Sequence, residues 1–256
     1  MSDFTLSVDH PEPGVRRIRW MRPGRLNAFT NALYQAILDA VTEAGADDSV
    51  RVLWLTGDGG AFSAGNDLEE FERAPTASLD APVFRLLSAV AAFAKPLVMT
   101  PAGPAIGIGT TLCLHADFVN CTRGTRFQMP FVALGLCPEG GSSLLVPQLV
   151  GQARAMSWLL LGSPIAADEA LQTGLVNAVC DDEAALETET LALVRRLAAL
   201  PPAAVIAAKA LIKDNGREAV RRALVTEGRE FIHRLTQPEA REALAAFREK
   251  RKPVFR

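Results

Sequence analysis

The chain has 256 residues, and at roughly 150 residues per domain that is about 1.7 domains, one large domain or a domain with an appendage. Hydrophobic residues make up 49% and charged ones 22%, with Gly 19 and Pro 16, which provides ample core and excludes disordered, collagenous and disulfide-dense chains. Lys+Arg 27 against Asp+Glu 29 leaves a net charge of −2, no basic excess for a phosphate backbone, so nucleic acid is not an expected partner.

In chain order, residues 3–20 alternate apolar and polar (Phe4, Leu6, Val8, then Val15, Ile18, Trp20) around a break at His10 to Gly14, which predicts a hairpin. Thr30 is placed to cap a helix over Asn31 to Ala46, whose Leu33, Ile37, Leu38 and Val41 recur at helical spacing. Val50 to Thr56 is nearly all apolar, as in a strand buried on both faces, and GDGG turns it. A helical segment over 81–94, an apolar Pro96 to Thr100 and a glycine-rich stretch complete a first half that alternates strand and helix, the pattern of parallel α/β sheets. After Asp117 to Cys121 and Phe127 to Met129, helical patterns dominate over 151–161, 166–173, 183–199, 202–213 and 217–250, broken by glycine or proline at Gly162, Pro164, Gly174, Pro201, Gly216 and Pro238. Only Leu175 to Val179 reads as a late strand. The expected organisation is an α/β core over 1–200 and a helical extension over 201–256.

No targeting signal is legible, and a cytoplasmic location is expected. The first residues, MSDFTLSVDHPEPG, lack an apolar stretch, no window approaches 18 apolar residues, and KRKPVFR is no lipidation or peroxisomal signal. No membrane partner is expected. Cys113, Cys121, Cys137 and Cys180 fall at spacings of 8, 16 and 43, matching neither metal pairs nor a disulfide framework.

The usual signatures of metal, nicotinamide and ATP chemistry are missing: there is no HExxH or CxxC, the three histidines are scattered, and the run at 107–112 lacks the third glycine of a dinucleotide fingerprint. Ser142 and Ser143 follow two glycines but do not form GxSxG, and read as the start of a helix. What remains is two glycine-bearing turns after strand-like segments, AFSAGNDL at 61–68 and GPAIGIG at 103–109, and one carboxylate, Glu139. Free backbone N–H groups at such turns make an oxyanion site physically easy to build.

FSAGNDL and GPAIGIGTTLCLHAD resemble the paired signatures of the crotonase (enoyl-CoA hydratase/isomerase) superfamily, and RPGRLNAF at 22–29, FQMPFVALGLCPEGGSSLLVPQLVG at 127–151 and AADEALQTGLVNAV at 166–179 match its frame. The resemblance implies an α/β crotonase-like (ClpP/crotonase) fold of repeated ββα units. It also implies a helical C-terminal region used in trimerisation, a homotrimer or dimer of trimers, and an acyl-CoA thioester as substrate. No separate cofactor is implied, CoA being part of the substrate. The N–H groups of Ala64 and Ile108 are implied as the oxyanion hole.

The two glutamates of hydratases in the family fall on Thr111 and Phe131 here, and neither residue can act as a base near neutral pH, so hydration is disfavoured. Glu139, in PEGGSS, matches instead the single glutamate of peroxisomal-type 3-enoyl-CoA to 2-enoyl-CoA isomerases, a reaction that needs one base and belongs to β-oxidation of fatty acids. Its sequence neighbours Val132, Leu134, Leu136, Leu144 and Leu145 are apolar, which would raise its pKa. The resemblance places Arg25, Ala28, Ser63, Asn66, Asp67 and Leu68 along the CoA path; Arg25 reads equally well as a solvated surface residue. Lys250 and Lys252 read as CoA-phosphate contacts from a neighbouring subunit or as a solvated tail, and Cys137 as lining the acyl pocket or as an inert thiol. Isomerisation of a ring-substituted acyl-CoA, or acyl-CoA binding without catalysis, are the rival readings.

Overall fold

The computed structural model describes residues 3–73 and 76–255. Strand β1 (Thr5–Asp9) pairs antiparallel with β2 (Val15–Met21), the hairpin expected from the alternation, in register Leu6 to Trp20 and Val8 to Ile18. From β2 the sheet runs parallel through β3 (Val52–Gly57), β4 (Leu97–Met99), β6 (Phe118–Thr122) and β9 (Ala178–Cys180), in the order β1-β2-β3-β4-β6-β9. A second sheet joins β5 (Pro104–Ile106), β7 (Arg126–Gln128) and β8 (Ile165–Ala166).

Side chains alternate across a strand, so each central strand supplies two cores. Ile18, Leu53, Leu55, Leu97 and Met99 join the main cluster with α1 (Asn31–Ala46) and α3 (Pro82–Ala91), whereas Val15, Val52, Trp54 and Val98 face Val194 and Ala198 of α8 (Glu183–Ala199). Thr30 caps α1, its hydroxyl accepting from the Leu33 N–H at 3.2 Å. Short helices α2 (Leu68–Arg73) and α4 (Ile108–Cys113) follow the two glycine-bearing turns. A 3-10 turn at Val132–Leu134 precedes α5 (Ser142–Val150), which begins at the serine pair, and α6 (Gln152–Leu160) and α7 (Ala167–Gln172) follow.

Two sequence expectations are corrected. The helical patterns over 202–213 and 217–250 are not divided at Gly216: α9 runs unbroken from Pro202 to Leu235, and the break comes at Thr236 and Gln237, before α10 (Pro238–Arg248). A glycine inside a helix costs only about 1 kcal/mol, whereas proline lacks the N–H and suits the first turn of a new helix. The late strand is Ala178–Cys180 rather than 175–179, because Asn177 completes the ladder with its side chain, Oδ1 accepting from the Val119 N–H at 2.7 Å, and Leu175 and Val176 turn into the core. The final helices are welded to the rest of the chain: Phe231, Leu235 and Ala240 belong to the main cluster, and Phe231 meets Phe71, Phe84 and Phe131 edge-on at 6.2–6.5 Å between centroids. No single helix among the described residues is long and apolar enough to cross a membrane.

Candidate active site

The two glycine-bearing turns lie side by side. Ser63 and Ala105 form a parallel bridge, the Ile106 N–H donates to Ser63 O at 2.8 Å, and the Phe62 and Ser63 N–H groups donate to Pro104 O at 3.0 and 2.9 Å. The approach is close enough that a Cβ on Gly65, which sits at φ +93°, would come within 3.2 Å of Ile106 O.

Within the first turn the polar side chains brace the backbone. Ser63, fully buried, donates its hydroxyl to Asn27 O and accepts from the Gly65 N–H, both at 3.0 Å. Asp67 is ion-paired to buried Arg22 at 2.6 Å and accepts from the Glu70 N–H at 3.0 Å, which starts α2. Burial works against its charge, but Arg22 and that N–H hold its carboxyl below the ordinary range. Asn27 donates to Asp58 O and Ala61 O and accepts from the Arg22 N–H. These are scaffold roles; the turn is left with little side-chain chemistry and with its backbone.

The expectation for Ala64 is corrected here. Its N–H donates to Leu26 O at 2.8 Å, a carbonyl delivered by the left-handed bend at Leu26 and Asn27, φ 46° and 56°. A donor already spent on a backbone carbonyl cannot receive a second oxygen without weakening that bond. The neighbouring free amide is Asn66: its N–H meets no acceptor among the described residues, and its Oδ1 accepts from the Tyr34 hydroxyl at 2.5 Å. Ile108, fully buried at the first position of α4, likewise has an N–H with no acceptor among the described residues.

Glu139 is 3% exposed, with Oε1 accepting from the Thr111 hydroxyl at 2.6 Å. Its Oε2 is buried with no hydrogen-bond partner among the described residues. Burial raises its pKa; the Thr111 bond opposes this, the charge of Glu227 adds to it, and the result is a carboxyl at about 8. The next residue, Gly140, has φ +68°, and a Cβ there would fall 2.7 Å from Thr111 Cβ, so the glycine is what allows threonine and glutamate to meet. The second hydratase position, Phe131, is a buried ring of the aromatic cluster.

Sequence reasoning missed three groups around this turn. Glu227 of α9 accepts from the Gly141 N–H at 2.6 Å, from the Ser143 N–H at 2.9 Å and from the Ser143 hydroxyl, capping α5 from another helix. Burial raises its pKa against these three donors. His115, buried, donates from Nε2 to Gly140 O at 2.8 Å, and burial takes its pKa down to about 4, which keeps it neutral. Tyr34, the chain's only tyrosine, is pushed well above its ordinary pKa by burial and by the charge of Glu139. One signal was available: an acid at 227 stands in register with Leu224 and Phe231 on one apolar stripe of α9.

The remaining expected residues lie off this centre. Arg25 is half exposed and paired with Glu69 at 2.9 Å; Ala28 lends its carbonyl to Arg22; Leu68 opens α2 and packs against the core. Cys137 is half-buried, its thiol pushed up to about 12 by burial, and Lys250 and Lys252 are exposed.

A model of the family described as enoyl-CoA hydratase/isomerase matches residues 11–256. The chain is 36% identical to the 1,2-epoxyphenylacetyl-CoA isomerase of Escherichia coli K12, over 100% of this chain and 99% of that protein. It is 38% identical to enoyl-CoA delta isomerase 2 of Rattus norvegicus, over 81% of this chain and 54% of the relative. Among solved structures, Pseudomonas aeruginosa OdaA superposes with a TM-score of 0.92 at 42% identity, covering 94% of this chain and 98% of that one.

Proposed function

Because the chain belongs to the enoyl-CoA hydratase/isomerase family and has its α/β crotonase fold, we propose that it moves the double bond of an enoyl-CoA from C3–C4 to C2–C3, with Glu139 as the only base. The observation that carries this reading is the buried carboxyl whose one oxygen is held by Thr111 and whose other has no partner. Buried polar atoms are nearly always satisfied, so an orphan carboxyl oxygen marks a place where a reacting proton belongs.

The proposed steps use the groups just described. The carboxylate of Glu139 removes a proton from C2, and the C2–H electron pair moves into a dienolate whose charge rests on the thioester oxygen. The Asn66 and Ile108 N–H groups, the free donors of the two abutting turns, receive that oxygen; one such donor is typically worth about 10² to 10³ in rate. Glu139, now protonated, returns the proton to C4 and the double bond settles in conjugation. A carboxyl near pKa 8 can both take and give this proton near neutral pH. Tyr34 holds the Asn66 side chain and so fixes the turn that presents the donor. The backbone around Ala28, Ser63, Asn66 and Leu68 would carry the CoA arm, while Arg25 and Asp67 act through their ion pairs. The apolar side chains left exposed on α9, Leu211 and Ile212, fit burial in the expected homotrimer.

Hydration lacks support, because neither Thr111 nor Phe131 can act as a base toward water near neutral pH. A ring-bearing acyl-CoA is the second reading, favoured by the full-length similarity to the E. coli isomerase. Incubation with a 3-enoyl-CoA, followed by absorbance of the conjugated thioester, separates these readings. Turnover that collapses in Glu139→Gln is expected, with crotonyl-CoA hydration slow or absent. Brisk hydration, or equal turnover by the variant, would overturn the assignment.

A further inference from the structure

The two glycines after Glu139, Gly140 and Gly141, have φ of +68° and +76°, and glycine is the residue with the widest backbone freedom. A base carried on such a turn has to be held from outside, since a displacement of about 1 Å can lower a rate by about 10². Glu227 holds the N–H side of the turn, at Gly141 and Ser143. On the carbonyl side the donor is His115, whose Nε2 reaches Gly140 O at 2.8 Å; no other group among the described residues bonds that oxygen.

His115 stands just past the end of α4. Leu114 is still right-handed, with φ −63° and ψ −19°, and the His115 N–H donates to Leu112 O at 3.1 Å, which tightens the last turn. Ile108, Thr111 and His115 thus follow one another at i, i+3 and i+7, along one side of this short helix. Each meets the site differently. Ile108 offers a free N–H, Thr111 donates to Glu139 Oε1 at 2.6 Å, and His115 fixes the carbonyl of the residue after Glu139. The fit is steric as well: a Cβ on Gly140 would fall 2.7 Å from Thr111 Cβ, and one on Gly141 would fall 3.6 Å from His115 Cε1.

His115 is itself anchored, being 4% exposed, with Lys213 of α9 donating to its carbonyl at 2.8 Å. A carbonyl oxygen only accepts, so the ring carries its proton on Nε2. With a pKa of about 4 the ring is neutral, and it keeps this donor throughout the range in which Glu139 titrates.

We infer that His115 is a positioning residue for the proton transfer: by holding Gly140 O it fixes the Glu139 carboxyl against Thr111, so that one short helix sets the base in register with the Ile108 N–H. The inference rests on the isomerase reading of Glu139, but the placement of the carboxyl is also measurable without turnover.

The test uses three variants. His115→Met fills the space without a donor, His115→Asn stays polar but is too short to reach Gly140 O, and His115→Gln keeps an N–H at similar reach. Met and Asn should each lower kcat for a 3-enoyl-CoA by about 10- to 100-fold with KM little changed, and Gln should retain most of the rate. In a Thr111→Val background the His115→Met step should lower the rate much less, because both residues hold one carboxyl. Without substrate, the Glu139 carboxyl can be titrated by carbon-13 NMR of glutamate-labelled protein, its signal assigned by loss in Glu139→Gln. Its midpoint should rise in Met and Asn, because a slackened turn weakens the Thr111 bond that favours the charged form, and should stay in place in Gln. A lowered denaturant midpoint with kcat and the Glu139 titration unmoved would show a merely structural role and overturn the inference. Equal losses in all three variants, or a loss that adds in full to that of Thr111→Val, would overturn it too. If the unmodified protein converts no 3-enoyl-CoA, the isomerase reading fails and the titration decides alone: a raised midpoint in Met and Asn supports the positioning role, and an unmoved one overturns it.

Discussion

Glu139 and Glu227 are both buried glutamates at the same turn, with 3% and 6% exposure, and burial raises the pKa of both. They differ in what surrounds the oxygens. Glu227 is saturated by two backbone N–H groups and a hydroxyl, whereas Glu139 has one hydroxyl and an orphan oxygen. A carboxylate locked by donors is a cap; one left half satisfied at the end of that same turn can exchange a proton. Burial and a raised pKa are therefore insufficient to identify the base, and the count of committed donors distinguishes the two.

The largest effect expected from breaking this contrast is in Glu139→Gln, which keeps shape and removes the base: isomerisation should fall by about 10² to 10⁴, with the thermal midpoint little changed only below the ordinary glutamate pKa, where Glu139 is protonated. Glu227→Ala should invert the pattern. It strands the Gly141 and Ser143 N–H groups, a loss of about 1–3 kcal/mol for each buried group left unpaired, read in the denaturant midpoint. Turnover should fall less than in Glu139→Gln. Its pH profile should move down, because the Glu227 charge that raises the Glu139 pKa is gone. Thr111→Val removes the bond that favours charged Glu139, so the apparent pKa of kcat/KM should rise by about one unit and neutral-pH turnover should drop several-fold.

A further effect is on the pH dependence of stability. A carboxyl whose folded pKa is raised keeps its proton in the fold after the unfolded chain has lost it. Its contribution is therefore complete below the ordinary glutamate pKa and is lost as pH rises toward about 8. Melting the unmodified protein and Glu139→Gln side by side should show Gln gaining relative stability across that window and no further above it; a constant difference would show that Glu139 titrates normally.

Much of this was legible in the sequence. The hairpin, the Thr30 cap and the 183–199 helix follow from alternation, capping chemistry and period, and PEGGSS in register with the two turns singled out Glu139. The orphan state of its second oxygen was not legible, because it depends on Thr111 and on the absence of any third group, facts of three-dimensional packing. The oxyanion donor failed for a similar reason. Which amide of the first turn is free is decided by the Leu26 carbonyl, delivered by two left-handed residues from a distant segment, and nothing within FSAGNDL encodes that. Glu227 lies far along the chain, and only its place on the apolar stripe of α9 hinted at a buried partner.

The central claim is that Glu139 is the sole proton carrier and works from a raised pKa. Its most direct test is the pH dependence of kcat/KM for conjugation of a 3-enoyl-CoA between about pH 5 and 10, beside Glu139→Gln. The carboxylate is the base, so the rate should rise with pH through an apparent pKa of about 8 and then level off, with the variant near zero throughout. A profile already flat above the ordinary glutamate range, or a variant that follows the unmodified protein, would contradict it.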